Sequence, residues 1–164
     1  MFNIIVATDI NNGIGINNQL PWHFKSDMKF FKTKTTGKGN NAIVMGKNTF
    51  LSIQKPLPNR DNLILSSTLT GNNVFKNIND LLLFIQNKKY DDVWIIGGET
   101  IYRQFLNLHN IVNNIYVTRI QDVYKCDAFF TDIPNNYIKI DSQSIKENDT
   151  ILTIELFSLS QEIL

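Results

Sequence analysis

Apolar and β-branched residues fall in short unbroken runs along the first two-thirds of the chain: Ile4 to Thr8, Ala42 to Met45, Leu63 to Leu65, Val93 to Ile96 and Ile115 to Ile120. Runs this short and continuous suit strands covered on both faces, because a strand with one wet face alternates instead. Between them the spacing becomes helical. Ser26 or Asp27 opens a helix carrying Met28, Phe30 and Phe31 and stopping at Gly37. Asn79 opens a second with Leu82, Leu83, Phe84 and Ile85, and a third runs through Ile101, Tyr102, Phe105 and Leu106. Alternating strand and helix predict right-handed crossovers and an α/β fold, with a largely parallel sheet between helices on both faces. The last third differs. Tyr137 to Ile145 and Ile151 to Leu159 alternate with few helix signals, which predicts an antiparallel hairpin at one sheet edge. No repeat or linker interrupts residues 1–164, so they read as one domain. Asp9 to Phe24 is the only sizeable irregular stretch, and a loop of that length in a compact domain is usually functional.

Composition narrows the function classes. A chain of 164 residues buries roughly 70% of the surface its unfolded form exposes, enough for a core with a cleft cut into it. Sixteen basic against fifteen acidic residues leave a net charge of +1, so no global field recruits nucleic acid or an anionic membrane, and anion recognition must be local. The single cysteine, Cys126, excludes an internal disulfide and a Cys-based zinc site and fits a reducing compartment. The apolar N-terminus, Met1 to Ala7, is too short for a membrane span, lacks the basic flank of a signal peptide and reads as a first strand. The expectation is a cytoplasmic monomer acting on a small molecule, with neither nucleic acid nor membrane as partner. Asn148-Asp149-Thr150 matches a glycosylation acceptor, a chance match in a chain without a secretory signal.

Two strands end in glycine and lead into a helix, at Val44-Met45-Gly46-Lys47-Asn48-Thr49 and at Ile95-Ile96-Gly97-Gly98-Glu99-Thr100. In open α/β sheets ligands bind beyond the carboxyl ends of strands, where helix N-termini offer free N–H groups to phosphate oxygens, and a two-phosphate ligand would use two such turns. Tight turning alone also accounts for glycines there. The named phosphate motifs fail: a Walker loop ending at Gly46-Lys47 needs Gly and Ser or Thr where Asn41 and Asn48 stand, and Gly13-Ile14-Gly15 is followed by Asn18 rather than a third glycine.

Asp27 lies in the first turn of a helix beside apolar Met28 and Phe31. An acid there ordinarily stabilises the helix end; lowered into an apolar cleft, it would bind a cationic or amidine-like ring edge with a raised pKa. Trp22, after Leu20-Pro21, suits either core or cleft wall. Arg60 follows Pro56-Leu57-Pro58-Asn59, a stiff approach that would suit a carboxylate clamp as well as an ordinary surface charge. His23 and His109 have no partners at ligand spacing, so no metal site is expected, and no Gly-x-Ser-x-Gly elbow occurs.

Taken together, these segments resemble dihydrofolate reductase from about Asn3 to Phe157. The resemblance rests on Ile14-Gly15, Leu20-Pro21-Trp22, Asp27 with Phe30-Phe31, Met45 to Phe50, Ser52-Ile53, Pro56 to Arg60, Leu65-Ser66-Ser67, Ile96-Gly97-Gly98, Tyr102 and Tyr116-Val117-Thr118. It implies a central eight-stranded, mostly parallel sheet with an antiparallel C-terminal strand and four flanking helices. It further implies hydride transfer from NADPH to C6 of dihydrofolate with protonation of N5. By the family's scheme Asp27 holds the pterin, Thr118 bonds that carboxylate, Trp22 orders a water, and the loop at Leu20 closes over the nicotinamide. Ile5, Ala7, Met28, Phe31, Ile53, Leu57 and Ile96 line the substrate, and Arg60 pairs with its glutamate tail.

For the cofactor, the resemblance places the nicotinamide against Ala7, Ile14 and Tyr102. The pyrophosphate lies over Gly46, Lys47, Asn48 and Thr49 and over Gly97, Gly98, Glu99, Thr100 and Ile101. Leu65 and Ser66 also belong to the implied cofactor site, and Lys47 and Ser67 meet the 2′-phosphate. A cis peptide between Gly97 and Gly98 is also implied. Two departures from the family's pattern stand out: lysine at 47 where arginine is frequent, and leucine at 20 where methionine is common. Two other readings remain open at this level, a reductase of the same fold acting on a riboflavin-pathway pyrimidine and a nucleotide-binding paralogue without turnover.

Overall fold

The computed structural model describes residues 1–161. Its strands are β1 (Phe2–Thr8), β2 (Gly13–Gly15), β3 (Ala42–Gly46), β4 (Asp61–Leu65), β5 (Val74–Phe75), β6 (Val93–Gly97), β7 (Val112–Ile120), β8 (Ala128–Phe129), β9 (Tyr137–Glu147) and β10 (Thr150–Leu159). The helices are α1 (Lys25–Thr36), α2 (Lys47–Ile53), α3 (Ile78–Lys88) and α4 (Glu99–Leu106). Eight strands form one sheet in the order β5-β4-β3-β6-β1-β7-β10-β9, while β2 and β8 pair separately. All sheet pairings are parallel except those of β10, which runs antiparallel to both β7 and β9. This is the mostly parallel, four-helix architecture expected from the sequence.

The continuous apolar runs are explained by cover on both faces. Successive residues of a strand point to opposite sides. Ile4, Val6, Val44, Leu63 and Ile95 accordingly enter the core with Leu81 and Ile85 of α3 and Ile101, Tyr102 and Phe105 of α4. Their neighbours Ile5, Ile43, Met45, Ile64 and Trp94 enter a second core with Phe30 and Phe31 of α1 and Phe50 and Ile53 of α2. The carboxyl ends of the parallel strands share one edge of the sheet, and the chain leaves β1, β3, β4 and β6 there.

Three expectations are corrected. α3 begins at Ile78 rather than at Asn79, because Asn77 is the residue with extended backbone and its side chain accepts the Asp80 N–H at 2.9 Å. α1 is capped by neither Ser26 nor Asp27: its N-cap is Phe24, which has no side-chain acceptor. Nor is Asp9 to Phe24 the only long irregular stretch. Residues 121–136 form a second, with only β8 inside it, and the two loops satisfy each other's backbone. Phe130 N–H donates to the Asn12 carbonyl at 2.7 Å, Asp127 N–H to Gly15 at 2.9 Å, and Ile10 N–H to Asp122 at 3.2 Å. The buried Asp9 carboxylate accepts from Asn11, Gly13 and Tyr124 N–H groups, locking both loops at their base. A substituent at Gly13 would come within 2.5 Å of Cys126 Sγ, so the loops approach too closely there for any side chain.

Candidate active site

The loop that precedes α1 is anchored before it reaches the cleft. Trp22 and Phe24 are buried with Ile120 of β7 and Leu152 of β10, and Ala7, Tyr124 and Cys126 pack against them. Leu20 stays 60% exposed just after the turn that Ile16 and Gln19 close. Trp22 packs edge-on to Tyr124, and its buried indole N–H has no acceptor among the described residues. With the chain pinned at Phe24, the first turn of α1 sets Asp27 over the carboxyl half of β1 and β7, where Ala7 pairs with Thr118.

Burial pushes the Asp27 carboxyl up to about 6, a hydrogen bond from the Thr118 hydroxyl pulls it back, and the charge of Glu147 raises it again. Loss of hydration outweighs the N-terminal dipole of α1, which by itself favours the ionised acid. Tyr102 reaches the same place from the opposite face of the sheet. Its hydroxyl donates to the Ile5 carbonyl at 2.9 Å, and burial, then the charge of Asp27, raise its pKa.

One wall gathers residues dispersed in the sequence. Ile5, Phe31, Ile53, Leu57 and Ile96 belong to a single apolar cluster with Trp94 and Tyr116. Met28 is not part of it and stands 53% exposed one turn along α1. At the far end of this wall Arg60 is already fixed: its Nε donates to the Pro58 carbonyl at 2.9 Å and its Nη1 to Thr35 Oγ1 at 3.0 Å. Thr35 in turn donates to the Phe31 carbonyl at 2.7 Å, so the guanidinium is held to the α1 backbone. Partial burial lowers its pKa, and no carboxylate among the described residues pairs with it.

The two glycine turns meet at the other side. Gly46 and Gly98 are the N-caps of α2 and α4, neither with a side-chain cap, so first-turn N–H groups of both helices are left for another acceptor. A register shift between Val44 and Met45 sets Met45 opposite Gly97. An added Cβ at Gly46 would press on Ile101 at 3.0 Å, one at Gly97, whose φ is +120°, on the Tyr102 ring at 3.2 Å, and one at Gly98 would meet Thr49 Oγ1 at 3.7 Å. The two turns therefore lie side by side with Ile101, Tyr102 and Thr49 packed against them, and a side chain at Gly46 or Gly97 would crowd that packing. The Gly97–Gly98 peptide is cis, as the sequence resemblance implies. Ile14 is half-buried against the α3 and α4 core, whereas Asn48 and Thr100 are exposed and Glu99 contacts Arg103 at 3.8 Å.

After β4, the Lys47 ammonium donates to Thr68 Oγ1 at 3.1 Å beside exposed Ser67. Ser66 is turned inward, its hydroxyl accepting from Thr68 and Leu69 N–H groups, and Leu65 is buried in the α3 and α4 core. Thr68 is the residue the sequence reading missed here. A lone threonine after two serines carries no signal of its own.

Uncapped helix N-termini, paired glycine turns and a half-buried acid beside an apolar wall define the cleft of an α/β oxidoreductase. The sequence pattern described as dihydrofolate reductase matches residues 1–158. The chain is 33% identical over 153 residues to dihydrofolate reductase of Drosophila melanogaster, covering 85% of this chain and 84% of the relative. It is 36% identical over 135 residues to that of Haemophilus influenzae, covering 80% and 79%. Against that of Staphylococcus aureus it is 37% identical over 131 residues, covering 77% and 76%. The chain belongs to the dihydrofolate reductase family. It is an oxidoreductase that reduces dihydrofolate to tetrahydrofolate.

Proposed function

We propose that the chain carries out this reduction with NADPH, holding dihydrofolate between Asp27 and Arg60 and the cofactor across the two glycine turns. The observation that carries the reading is Asp27: an acid in the first turn of α1 with its pKa raised to about 6, facing a threonine hydroxyl and an apolar wall. A structural helix acid would sit in water with an ordinary or lowered pKa. NADPH, when bound, supplies the hydride that goes from nicotinamide C4 to pterin C6.

The protein's part is alignment and protonation. Asp27 binds the amidine-like edge of the pterin and favours the proton that must arrive at N5, with Thr118 fixing its orientation. The Trp22 indole N–H, which has no acceptor among the described residues, is suited to hold a water between the acid and the substrate. Exposed Leu20, just after the Ile16–Gln19 turn, excludes bulk water on closure. Ile5, Phe31, Ile53, Leu57 and Ile96 sandwich the rings, with Met28 completing the rim once ligand covers it, and Arg60 takes the glutamate carboxylate.

The cofactor's fit rests on the two glycine turns at Gly46 and Gly98, where neither helix N-terminus has a side-chain cap. The uncapped first turns of α2 and α4 would take the pyrophosphate, Ala7, Ile14 and Tyr102 the nicotinamide, and Lys47 with Ser67 and Thr68 the 2′-phosphate. No helix among the described residues is long and apolar enough to cross a membrane. Under the same reading the protein acts on small molecules as a cytoplasmic monomer.

The test is NADPH oxidation followed at 340 nm with and without dihydrofolate; oxidation that does not depend on dihydrofolate would sink the reading. A Lys47→Ala variant separates the cofactors. Its KM for NADPH is expected to rise roughly tenfold, at the lower end for a charged hydrogen bond because Lys47 is exposed, with the KM for NADH unchanged. Equal effects on the two would move Lys47 from the 2′-phosphate to the pyrophosphate.

A further inference from the structure

The N-terminus of α1 is closed by a residue far away in sequence. Glu147, the last residue of β9, accepts the Lys25 N–H at 2.8 Å with one carboxylate oxygen and the Ser26 N–H at 2.9 Å with the other. The Ser26 hydroxyl faces the same carboxylate without reaching good hydrogen-bond geometry. Phe24, the N-cap, offers no acceptor of its own. In an isolated helix with this sequence the Asp27 carboxylate, at the third helical position, would be drawn back to the free first-turn N–H groups, because local side-chain acceptors compete for them.

The hairpin presents Glu147 rigidly. Only Asn148 and Asp149 connect β9 to β10, with φ of 50° and 65°, and Glu147 pairs with Thr150 across the ladder. Most of β9 is exposed, and beside the buried contact of Phe24 with Leu152 of β10 the hairpin end meets the first turn of α1 through Glu147. The contact is polar and specific.

We propose that Glu147 is a positioning residue for Asp27: by capping α1 in trans it frees the Asp27 carboxyl from the helix end and leaves it in the cleft. This rests on Asp27 being the acid at the pterin. A carboxylate at this terminus also neutralises the dipole that would stabilise ionised Asp27, and it repels that charge directly. Both effects favour the protonated acid, in line with the contribution of Glu147 to the raised Asp27 pKa. The remaining groups facing Asp27 are Thr118 of β7 and Tyr102 of α4; those facing Glu147 are Ser26, Lys25 and His23.

The test compares Glu147→Gln, which keeps one acceptor oxygen and loses the charge, with Glu147→Ala, which loses both. The Asp27 carboxyl is titrated by carbon NMR in the ligand-free protein, and the pH dependence of single-turnover hydride transfer is measured beside it. In Glu147→Gln both midpoints are expected to fall by about 0.2–0.7 pH unit at near-normal melting temperature. The shift should persist in a His23→Gln background, which removes the imidazole that faces Glu147. Glu147→Ala should show the same fall together with a lower melting temperature. A lowered melting temperature with an unmoved Asp27 midpoint would make Glu147 a helix cap only and overturn the proposal. Because the carboxyl is read without turnover, an error in assigning Asp27 to catalysis shows separately, in the activity of Asp27→Asn.

Discussion

Asp27→Asn is expected to lose on the order of 10²- to 10⁴-fold in hydride-transfer rate at pH 7 while remaining folded. The amide keeps the size of the side chain and its contact with Thr118, and removes only the group that favours a proton at N5. The deficit should shrink as pH falls, since solvent then supplies the proton to substrate, and the wild-type rate should decline as pH rises past about 6. A variant that matches the wild type at every pH would remove Asp27 from the mechanism.

The same substitution should stabilise the protein. A carboxyl raised from 3.8 to about 6 binds its proton more tightly in the folded than in the unfolded chain, so this group's contribution is most favourable in acid. Stability on this account falls as pH rises from ~4 to ~6 and stays reduced above, because ionised Asp27 is poorly solvated in the cleft. Asp27→Asn avoids that cost. Its unfolding free energy at pH 7 should exceed the wild type's by about 1–3 kcal/mol, with little difference at pH 4. Denaturant titrations at the two pH values give the comparison directly.

Arg60→Ala has the second largest expected effect, and it falls on binding rather than on the chemical step. The guanidinium is pinned by Pro58 and Thr35, so it meets a carboxylate with little further ordering, and partial burial removes some competing water. Truncating one partner of such a pair costs about 2–5 kcal/mol, and the half-exposed setting puts this one near the lower figure. Dihydrofolate should therefore bind roughly 30-fold more weakly. A pterin lacking the glutamate tail should be indifferent to the change. If it weakens equally, Arg60 serves the α1 contact through Thr35 and not the ligand.

The runs at Ile4 to Thr8, Ala42 to Met45 and Val93 to Ile96 determined their strands by themselves, because burial on both faces leaves no polar position to break them. The order of Trp22, Asp27, Arg60 and the two glycine turns likewise carried the family and pointed to the proposed cleft. What the linear pattern left undecided were pairings between distant residues. Glu147 reaches Ser26 across 121 positions, Arg60 reaches Thr35 across 25, and Lys47 reaches Thr68 across 21. Such contacts are single hydrogen bonds between ordinary surface residue types, with no periodicity to announce them. Asn77 and Asn79 are the same residue, and only the backbone angle chose between them as a cap. Local composition assigned the end of α1 to Ser26 or Asp27. The folded hairpin gave it to Glu147 instead, because a carboxylate held rigidly at the end of β9 reaches both N–H groups while Asp27 faces the cleft.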